Sequence, residues 1–207
     1  MKAAVIREAG GRVEVEDRER PTPGPDEILI RVHACGVCHG DLMVRDGQFP
    51  FARYPIVPGH EIAGTVEATG ERVTHLAHGA RVGASALYSS CGVCRQCLGA
   101  DEFLCGRLEF TGVTRDGGFQ EYMLAQAAYV APLPEGLDFA EAAPLMCARR
   151  LMGSPAGSRK DLRDTLAFAA DHGVRPRVKQ VPLKDLAGAF GEMDKGHMRG
   201  RAVVVMQ

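Results

Sequence analysis

The sequence predicts a mainly β protein with short helices, an α+β fold in which one irregular lobe is rich in cysteine. Apolar and polar residues alternate most clearly over Glu27–Ala34, where Ile28, Ile30 and Val32 share one face. The 25 glycines favour turns and short strands over long helices. Residues 88–112 contain four cysteines and show little periodicity, which indicates the irregular lobe.

The other predicted elements are short and are separated by glycine- and proline-rich turns. The predicted strands besides Glu27–Ala34 are Lys2–Arg7, Arg12–Glu16, Glu61–Thr69, residues 80–87, Phe119–Ala125, Ala128–Pro132 and Arg201–Met206. The predicted helical segments are Cys38–Val44, Asp138–Cys147, residues 158–173 and Leu183–Met193. Ser158 begins a capping box, and the apolar stripe of the last segment is interpreted as core packing.

Composition is that of an ordinary globular protein, with 45% hydrophobic and 25% charged residues. The formal net charge of −1 gives no reason to expect nucleic acid or an anionic membrane as a partner. The first apolar run is too short for a signal peptide, and no run reaches the length of a membrane span, so we expect a cytoplasmic protein. Seven cysteines in such a protein are expected to be metal ligands or core residues rather than disulfides.

The cysteine-rich lobe has the spacing of a closed metal site. Its motif is C-x2-C-x2-C-x7-C, formed by Cys91, Cys94, Cys97 and Cys105. Four thiolates around one ion are typical of structural zinc, and the metal would supply much of the folding energy of a lobe with no core of its own. An iron–sulfur cluster also uses four cysteines, and four unliganded thiols are a further alternative. We expect zinc because a purely structural lobe needs a redox-silent ion.

A second set of ligand-type residues is dispersed along the chain. Cys38, His60 and Cys147 are two thiols and an imidazole, a set that leaves one coordination position open as in catalytic zinc sites. Asp41 is a carboxylate suited to fixing the ring of His60. Glu61 follows His60 directly and is a further candidate ligand. These residues predict a catalytic zinc site that only the fold can assemble.

Cys35 forms a C-x-x-C pair with Cys38. On a strand it is expected to pack as a small hydrophobic residue. A redox-active pair is the alternative, although no thioredoxin-type βαβ pattern surrounds it.

Several motifs together resemble the zinc-dependent alcohol dehydrogenases of the medium-chain dehydrogenase/reductase superfamily. They are Gly36-Val37-Cys38-His39-Gly40-Asp41, Pro58-Gly59-His60-Glu61, the Cys91–Cys105 lobe, Gly117-Gly118-Phe119-Gln120-Glu121-Tyr122, Pro144-Leu145-Met146-Cys147-Ala148 and Gly200-Arg201-Ala202-Val203-Val204. The resemblance covers residues 1–148 and about 153–207. It implies a catalytic domain with a GroES-like β-barrel fold, and primary alcohol/aldehyde interconversion with NAD(P) in the full-length family.

The resemblance also implies roles for individual residues. Two zinc ions are expected per chain, with the catalytic one held by Cys38, His60 and Cys147 with Glu61 close by, and with Asp41 behind His60. His39 and Arg201 are expected to contact the pyrophosphate of the cofactor. Phe49 and Phe51 occupy positions where the family lines its substrate pocket, which favours a medium-sized or aromatic primary alcohol. The alternative for both phenylalanines is ordinary core packing.

The sequence departs from the family at Gly40. The family usually has Ser or Thr there, and that hydroxyl begins the proton relay from the bound alcohol. Glycine has no side chain to do this, so water or the imidazole of His39 would have to carry the proton.

A larger departure is the missing dinucleotide-binding domain. No two glycines in the chain are spaced G-x-G, so the G-x-G-x-x-G fingerprint is absent, and no series of βαβ units is predicted. We therefore expect residues 1–148 to form the GroES-like catalytic domain with its zinc lobe at 88–112, residues 149–152 to be a junction in place of the lost domain, and residues 153–207 to complete the catalytic domain.

Three hypotheses about function follow. The first is a dehydrogenase catalytic domain with little or no NAD-dependent turnover. The second is a zinc-binding GroES-like module without a redox role, and the third is a cryptic zinc hydrolase, since an open zinc site can activate water. The expected partner is a small alcohol or aldehyde. We also expect a monomer or a self-association unlike the family's, because loss of the cofactor domain exposes apolar surface.

Overall fold

A seven-stranded mixed sheet forms the centre of the molecule, whose computed structural model describes residues 1–147 and 158–206. Its strands are β3 (Glu27–Gly36), β4 (Glu61–Thr69), β5 (Arg81–Ala84), β8 (Tyr122–Gln126), β9 (Val130–Pro132), β10 (Val178–Pro182) and β11 (Arg201–Val205). The order is β10-β11-β3-β4-β5-β9, and β8 also pairs with β3. All neighbours are antiparallel except β10 and β11, which are parallel. The mainly β fold predicted from the sequence is confirmed.

Two small sheets flank the main one. β1 (Lys2–Ile6) pairs with β2 (Val13–Asp17), and β6 (Leu87–Ser89) pairs with β7 (Glu109–Phe110). The strand predicted over residues 80–87 is therefore two strands, β5 and β6, in different sheets. β6 and β7 enclose the cysteine-rich lobe between them, so the lobe is anchored at both of its ends.

The ten-residue strand β3 carries the core on both faces. Ile28, Ile30 and Val32 belong to a large buried cluster, and Ala34 on the same strand packs into a second one. Cys35 is fully buried in the large cluster, in agreement with its interpretation as a core residue. Because β3 runs directly into Val37 and Cys38, the rigid centre of the sheet fixes the first candidate ligand.

The helices are short, as expected, and their boundaries follow local capping. They are α1 (His39–Arg45), α2 (Arg95–Leu98), α3 (Phe139–Ala142), α4 (Arg159–Asp171) and α5 (Leu186–Asp194). Asp138 caps α3 by accepting a 2.8 Å hydrogen bond from the backbone of Ala140. The helix predicted from Asp138 to Cys147 continues after α3 as a 3-10 turn over Ala143–Cys147. Pro144 lacks an N–H, which is consistent with this early end of the α-helix.

The segment that carries the proposed junction, residues 149–152, lies outside the described residues, as does the beginning of the 153–207 segment. Ser158 caps α4 in the predicted capping box with Asp161. Within the described part of the chain, no helix is long and apolar enough to cross a membrane.

Candidate metal centres

The four cysteines of the lobe converge on one point. The sulfur atoms of Cys91, Cys94, Cys97 and Cys105 all lie within 4.8 Å of one another. Cys97 Sγ is 3.4 Å from Cys94 Sγ and 3.8 Å from Cys91 Sγ. Four sulfur donors at these separations fit a tetrahedral ion bound by thiolates, as the C-x2-C-x2-C-x7-C spacing predicts.

The backbone of the lobe presents N–H groups to these sulfurs. The N–H of Cys94 donates to Cys91 Sγ at 3.3 Å, and the N–H groups of Cys91 and Arg107 donate to Cys105 Sγ at 3.4 Å each. Hydrogen bonds from backbone N–H groups favour the charged form of a thiol. Those of Val93 and Cys94 lower the pKa of Cys91 to about 5. Anionic sulfur is the form that binds a metal ion.

Ser90 extends this arrangement on the other side. Its hydroxyl oxygen is 3.2 Å from Cys97 Sγ, and this hydrogen bond lowers the pKa of Cys97. Ser90 was not among the residues predicted for this site, although a hydroxyl residue directly before the first cysteine of the motif could have indicated it. Gly92, with φ +73°, turns the chain between Cys91 and Cys94 in a conformation that favours glycine.

The second group of candidate ligands also converges, from residues that lie up to 109 positions apart. Ligand atoms of Cys38, His60, Glu61 and Cys147 lie within 4.8 Å of one another, and Cys38 Sγ is 3.9 Å from Cys147 Sγ. Cys38 precedes α1, His60 precedes β4, Glu61 begins β4, and Cys147 ends the 3-10 turn after α3. The four residues therefore lie at the ends of three elements, α1, β4 and the 3-10 turn. Three of the residues, Cys38, His60 and Glu61, closely follow β3 or border on β4.

Asp41 organises two of these ligands with one buried carboxylate. Its Oδ1 accepts from His60 Nδ1 at 2.9 Å and from the N–H of Gly59 at 3.1 Å, and its Oδ2 accepts from the N–H of Cys38 at 2.8 Å. An ionised carboxylate has no proton to give, so the proton of the ring is placed on Nδ1. The Nε2 lone pair of His60 is then free for a metal ion.

Glu61 is a buried carboxylate without a hydrogen bond among the described residues. Arg201 forms an ion pair with Glu61, in which Nη2 of the arginine lies 3.4 Å from Oε1 of the carboxylate. Burial raises the pKa of Glu61 to about 8. Such a group needs a cation or a proton for compensation. A metal ion bound by Cys38, His60 and Cys147 would supply the cation, so the donor set present here fits zinc.

The two thiols of this site share a negative charge. The hydrogen bond from Cys147 lowers the pKa of Cys38, and the same hydrogen bond raises the pKa of Cys147. One thiolate is thus favoured before any ion binds, although both sulfurs are largely buried.

The residues predicted to contact the cofactor flank Cys38. His39 is the exposed first residue of α1. Arg201 begins β11, and its Nη1 donates to the carbonyl of Val37 at 3.1 Å. Gly40 faces the imidazole, because a Cβ atom there would lie 3.1 Å from His60 Cε1. Any side chain at position 40 would therefore crowd the ring of His60, which sequence reasoning did not foresee.

Phe49 and Phe51 lie in a group of aromatic rings. Their ring centroids are 5.5 Å apart, and Phe51 is also 5.5 Å from Phe110. Phe49 packs on the buried cluster that contains Ile6, whereas the Phe51 side chain is half exposed. These are hydrophobic contacts, and the role of both residues in substrate binding stays a prediction.

Comparison with known proteins decides the family. The model of the alcohol dehydrogenase GroES-like domain matches residues 24–135, more than half of the chain. The chain belongs to this family. The resemblance inferred from the motifs is confirmed: this is a catalytic domain of the zinc-type medium-chain alcohol dehydrogenases.

Curated relatives agree with this. Alcohol dehydrogenases of a Moraxella strain and of Geobacillus stearothermophilus are each 46% identical over 149 residues, which is 72% of this chain and 44% of the relative. Alcohol dehydrogenase 1 of Emericella nidulans is 40% identical over 205 residues, 99% of this chain and 55% of the relative. The chain thus spans about half the length of the curated relatives it matches.

Solved structures show the same fold. A cinnamyl alcohol dehydrogenase from Sorghum bicolor superposes with a TM-score of 0.89 at 20% identity, covering 99% of this chain and 97% of that one. At that identity the likeness concerns the fold alone. A zinc-binding dehydrogenase from Sinorhizobium meliloti, bound to NADP, is 38% identical with a TM-score of 0.65 over 70% of this chain and 43% of that chain.

Proposed function

We propose that this chain is the zinc-binding catalytic domain of an NAD(P)-dependent alcohol dehydrogenase that interconverts a primary alcohol and its aldehyde in the complete protein. The observation that carries the proposal is the convergence of Cys38, His60, Glu61 and Cys147 within 4.8 Å. We further propose that residues 1–148 and 153–207 form one such domain. The names of the relatives support the substrate class.

Cys38, His60 and Cys147 would hold the catalytic ion, with Glu61 as an alternating fourth ligand. When bound there, zinc supplies Lewis-acid polarisation of an alcohol or carbonyl oxygen. Cys91, Cys94, Cys97 and Cys105 would hold a second, structural ion, giving two zinc ions per chain. The separate convergence of the two donor sets supports this count.

The chain's own residues then orient the site. Asp41 keeps the proton of His60 on Nδ1 and holds the N–H of Cys38, so the imidazole and the thiolate approach an ion in a fixed geometry. Arg201 places a positive charge beside Glu61 and limits the cost of burying that carboxylate. We propose that His39, exposed next to Cys38, accepts the substrate proton in place of the hydroxyl that Gly40 lacks.

Hydride transfer is expected to be weak or absent in this chain. The cofactor carries the redox chemistry, and the protein contributes its placement. The sequence contains no G-x-G-x-x-G fingerprint, and the family resemblance offers His39 and Arg201 as contacts for the pyrophosphate. Ordered placement of two reactants is worth roughly 7–11 kcal/mol at best. We therefore propose that NAD-dependent turnover is lost or nearly so.

The test is an absorbance assay of NADH formation with ethanol and benzyl alcohol, together with metal analysis. We expect two zinc ions per chain and turnover at least about 10⁴-fold below that of an intact relative. Near-normal NADH formation would show that cofactor placement does not need the missing domain. A chain that binds no zinc would refute the assignment altogether.

A structural zinc module without redox chemistry is the second candidate, and Glu61 favours it. With a carboxylate oxygen available beside two thiols and an imidazole, the site can be closed by four protein ligands. Cobalt substitution distinguishes the two candidates. A visible spectrum unaffected by alcohols, aldehydes or azide indicates a closed site, whereas spectral shifts on their addition indicate an open position.

We also propose that the protein is cytoplasmic, binds a small alcohol or aldehyde rather than nucleic acid or membrane, and is a monomer or self-associates unlike its family. The exposed side chains of Val93, Leu98 and Leu104 on the lobe and Phe168 on α4 support some self-association. Light scattering tests the oligomeric state.

A further inference from the structure

One helical turn of the lobe is joined to a distant part of the chain. The 3-10 turn Glu102–Leu104 lies between the third and fourth cysteines, and Glu102 is only 2% exposed. Arg159, the first residue of α4, donates from Nε to Glu102 Oε1 at 2.8 Å. This contact connects residues 57 positions apart. It attaches the cysteine-rich lobe to the helix that follows the proposed junction.

Glu102 depends on this arginine. Its second oxygen, Oε2, is buried and has no hydrogen-bond partner among the described residues. A buried carboxylate that loses its cation is strongly unfavourable. The backbone carbonyl of Glu102 also accepts from the N–H of Cys105 at 2.9 Å. Any displacement of this turn therefore moves a candidate metal ligand.

A second route runs from the same arginine to the lobe. The Arg159 guanidinium lies 4.8 Å from the centroid of the Tyr129 ring, and its Nη1 donates to the Ala128 carbonyl at 3.2 Å. The Tyr129 hydroxyl is 2.9 Å from Ser90 Oγ and accepts from the Ser90 N–H at 3.1 Å. Ser90 Oγ in turn contacts Cys97 Sγ at 3.2 Å. Arg159 is thus two contacts from Cys105 and three from Cys97.

We propose that Arg159 is a positioning residue of the four-cysteine site, and that its pairing with Glu102 couples metal occupancy of the lobe to docking of α4. This rests on the part of the proposed function that places a metal ion in the lobe. Coupling between two events is reciprocal. Metal binding therefore stabilises α4 on the body, and a docked α4 slows metal release.

Zinc release tests the second half of this coupling. The full chain carrying C38S and H60A retains only the lobe site, and zinc leaving it is followed with a colorimetric chelator. In this background R159Q is compared with R163Q, because Arg163 is an exposed arginine on the same helix. We expect R159Q to release zinc about tenfold faster and R163Q to match the parent. Equal rates for the two variants would overturn the proposal.

A double-mutant cycle tests whether Arg159 acts through its ion pair with Glu102. E102Q alone should accelerate release, and E102Q with R159Q should accelerate it by less than the product of the two single effects. Multiplicative effects would mean that Arg159 acts without Glu102, contrary to the proposal.

Hydrogen exchange tests whether metal binding in the lobe stabilises α4. This experiment leaves Arg159 and Glu102 unchanged, so it remains possible if R159Q does not fold. Peptides from α4 should exchange at least about tenfold faster when the C38S/H60A chain loses its zinc, while peptides from β1 and β2 change little. Unchanged α4 exchange refutes the coupling alone. If the C38S/H60A chain binds no zinc, the lobe assignment fails, and the coupling fails with it.

Discussion

Gly36 lies directly opposite Glu61 in the β3–β4 pair, and a Cβ atom at Gly36 would overlap Oε2 of Glu61 and sit 3.0 Å from its Cδ. The absence of a side chain at position 36 is what leaves room for the carboxylate of Glu61 beside Cys38, His60 and Cys147. A residue on the central strand thus controls the position of a candidate ligand.

The variant G36A tests this relationship. We expect it to displace Glu61 and to lower the free energy of unfolding by about 1–3 kcal/mol, the usual cost of overpacking. Urea unfolding measures the effect. The control is G188A on α5, where a Cβ meets no atom within 4 Å and alanine should stabilise the helix by about 0.5–1 kcal/mol. A G36A chain as stable as the parent would mean that Glu61 is free to move.

The variant D41N addresses the orientation of His60. Asp41 accepts hydrogen bonds from His60 Nδ1 and from the backbone N–H groups of Gly59 and Cys38. The asparagine amide is uncharged and is therefore a weaker acceptor for these three donors. We expect zinc affinity at this centre to fall about 10–100-fold, while the four-cysteine site keeps its ion. Competition with a chelator of known affinity gives the zinc dissociation constants of the two sites separately. The matched control is D171N, which changes an exposed aspartate on α4. If D171N lowers the zinc affinity of this centre as much as D41N does, Asp41 has no specific role in orienting His60.

Metal removal should destabilise the lobe first, because its apolar side chains Val93, Leu98 and Leu104 are exposed rather than packed in a core. We expect prolonged chelation to lower Tm by at least about 10 °C, and added zinc to restore it. Differential scanning calorimetry gives both values. An unchanged Tm after metal analysis has verified complete removal would contradict a folding role for the four cysteines.

His33 is expected to make stability fall in weak acid. It stacks on Phe139 with a centroid separation of 4.4 Å, and burial, with the charges of Arg31 and Arg81, lowers the pKa of His33 below its usual 6.5. Below pH 6.5 the unfolded chain binds a proton that the folded chain resists, so stability decreases as pH falls toward the lower folded pKa. Above pH 6.5 the residue contributes no pH dependence.

The variant H33Q should therefore lose less stability than the parent between about pH 7.5 and about pH 5.5. Urea unfolding at both pH values measures the difference. H75Q, which changes an exposed histidine, should behave like the parent. If H33Q shows the parent's full acid sensitivity, the proton is taken up elsewhere.

Sequence reasoning found the parts of the molecule that local patterns encode. The four-cysteine spacing and the motifs around Cys38 and His60 were sufficient to pick out the two groups of side chains that converge in the fold, because candidate metal ligands are particular residue types. The alternation in Glu27–Ala34 located β3, the central strand. The capping box at Ser158 located the start of α4.

What the sequence could not supply were contacts without a local pattern. Strand β10 was missed because its five residues, two valines, a lysine, a glutamine and a proline, show no clear alternation. The pairing of Glu102 with Arg159 joins two segments that look unrelated, and the role of Gly36 depends on the register of β3 and β4. Such relationships are properties of the three-dimensional arrangement rather than of any window of sequence.

The position of β11 between β10 and β3 has a consequence for how the chain folds. Val203 pairs with Gly36 across almost the whole sequence, so this part of the sheet requires the closure of a very long loop. Long-range strand pairing makes folding slow. On the ribosome, β3 would have to wait for residues 201–205 to emerge before it gained this neighbour, which leaves the strand that leads into Cys38 incompletely paired until late in synthesis.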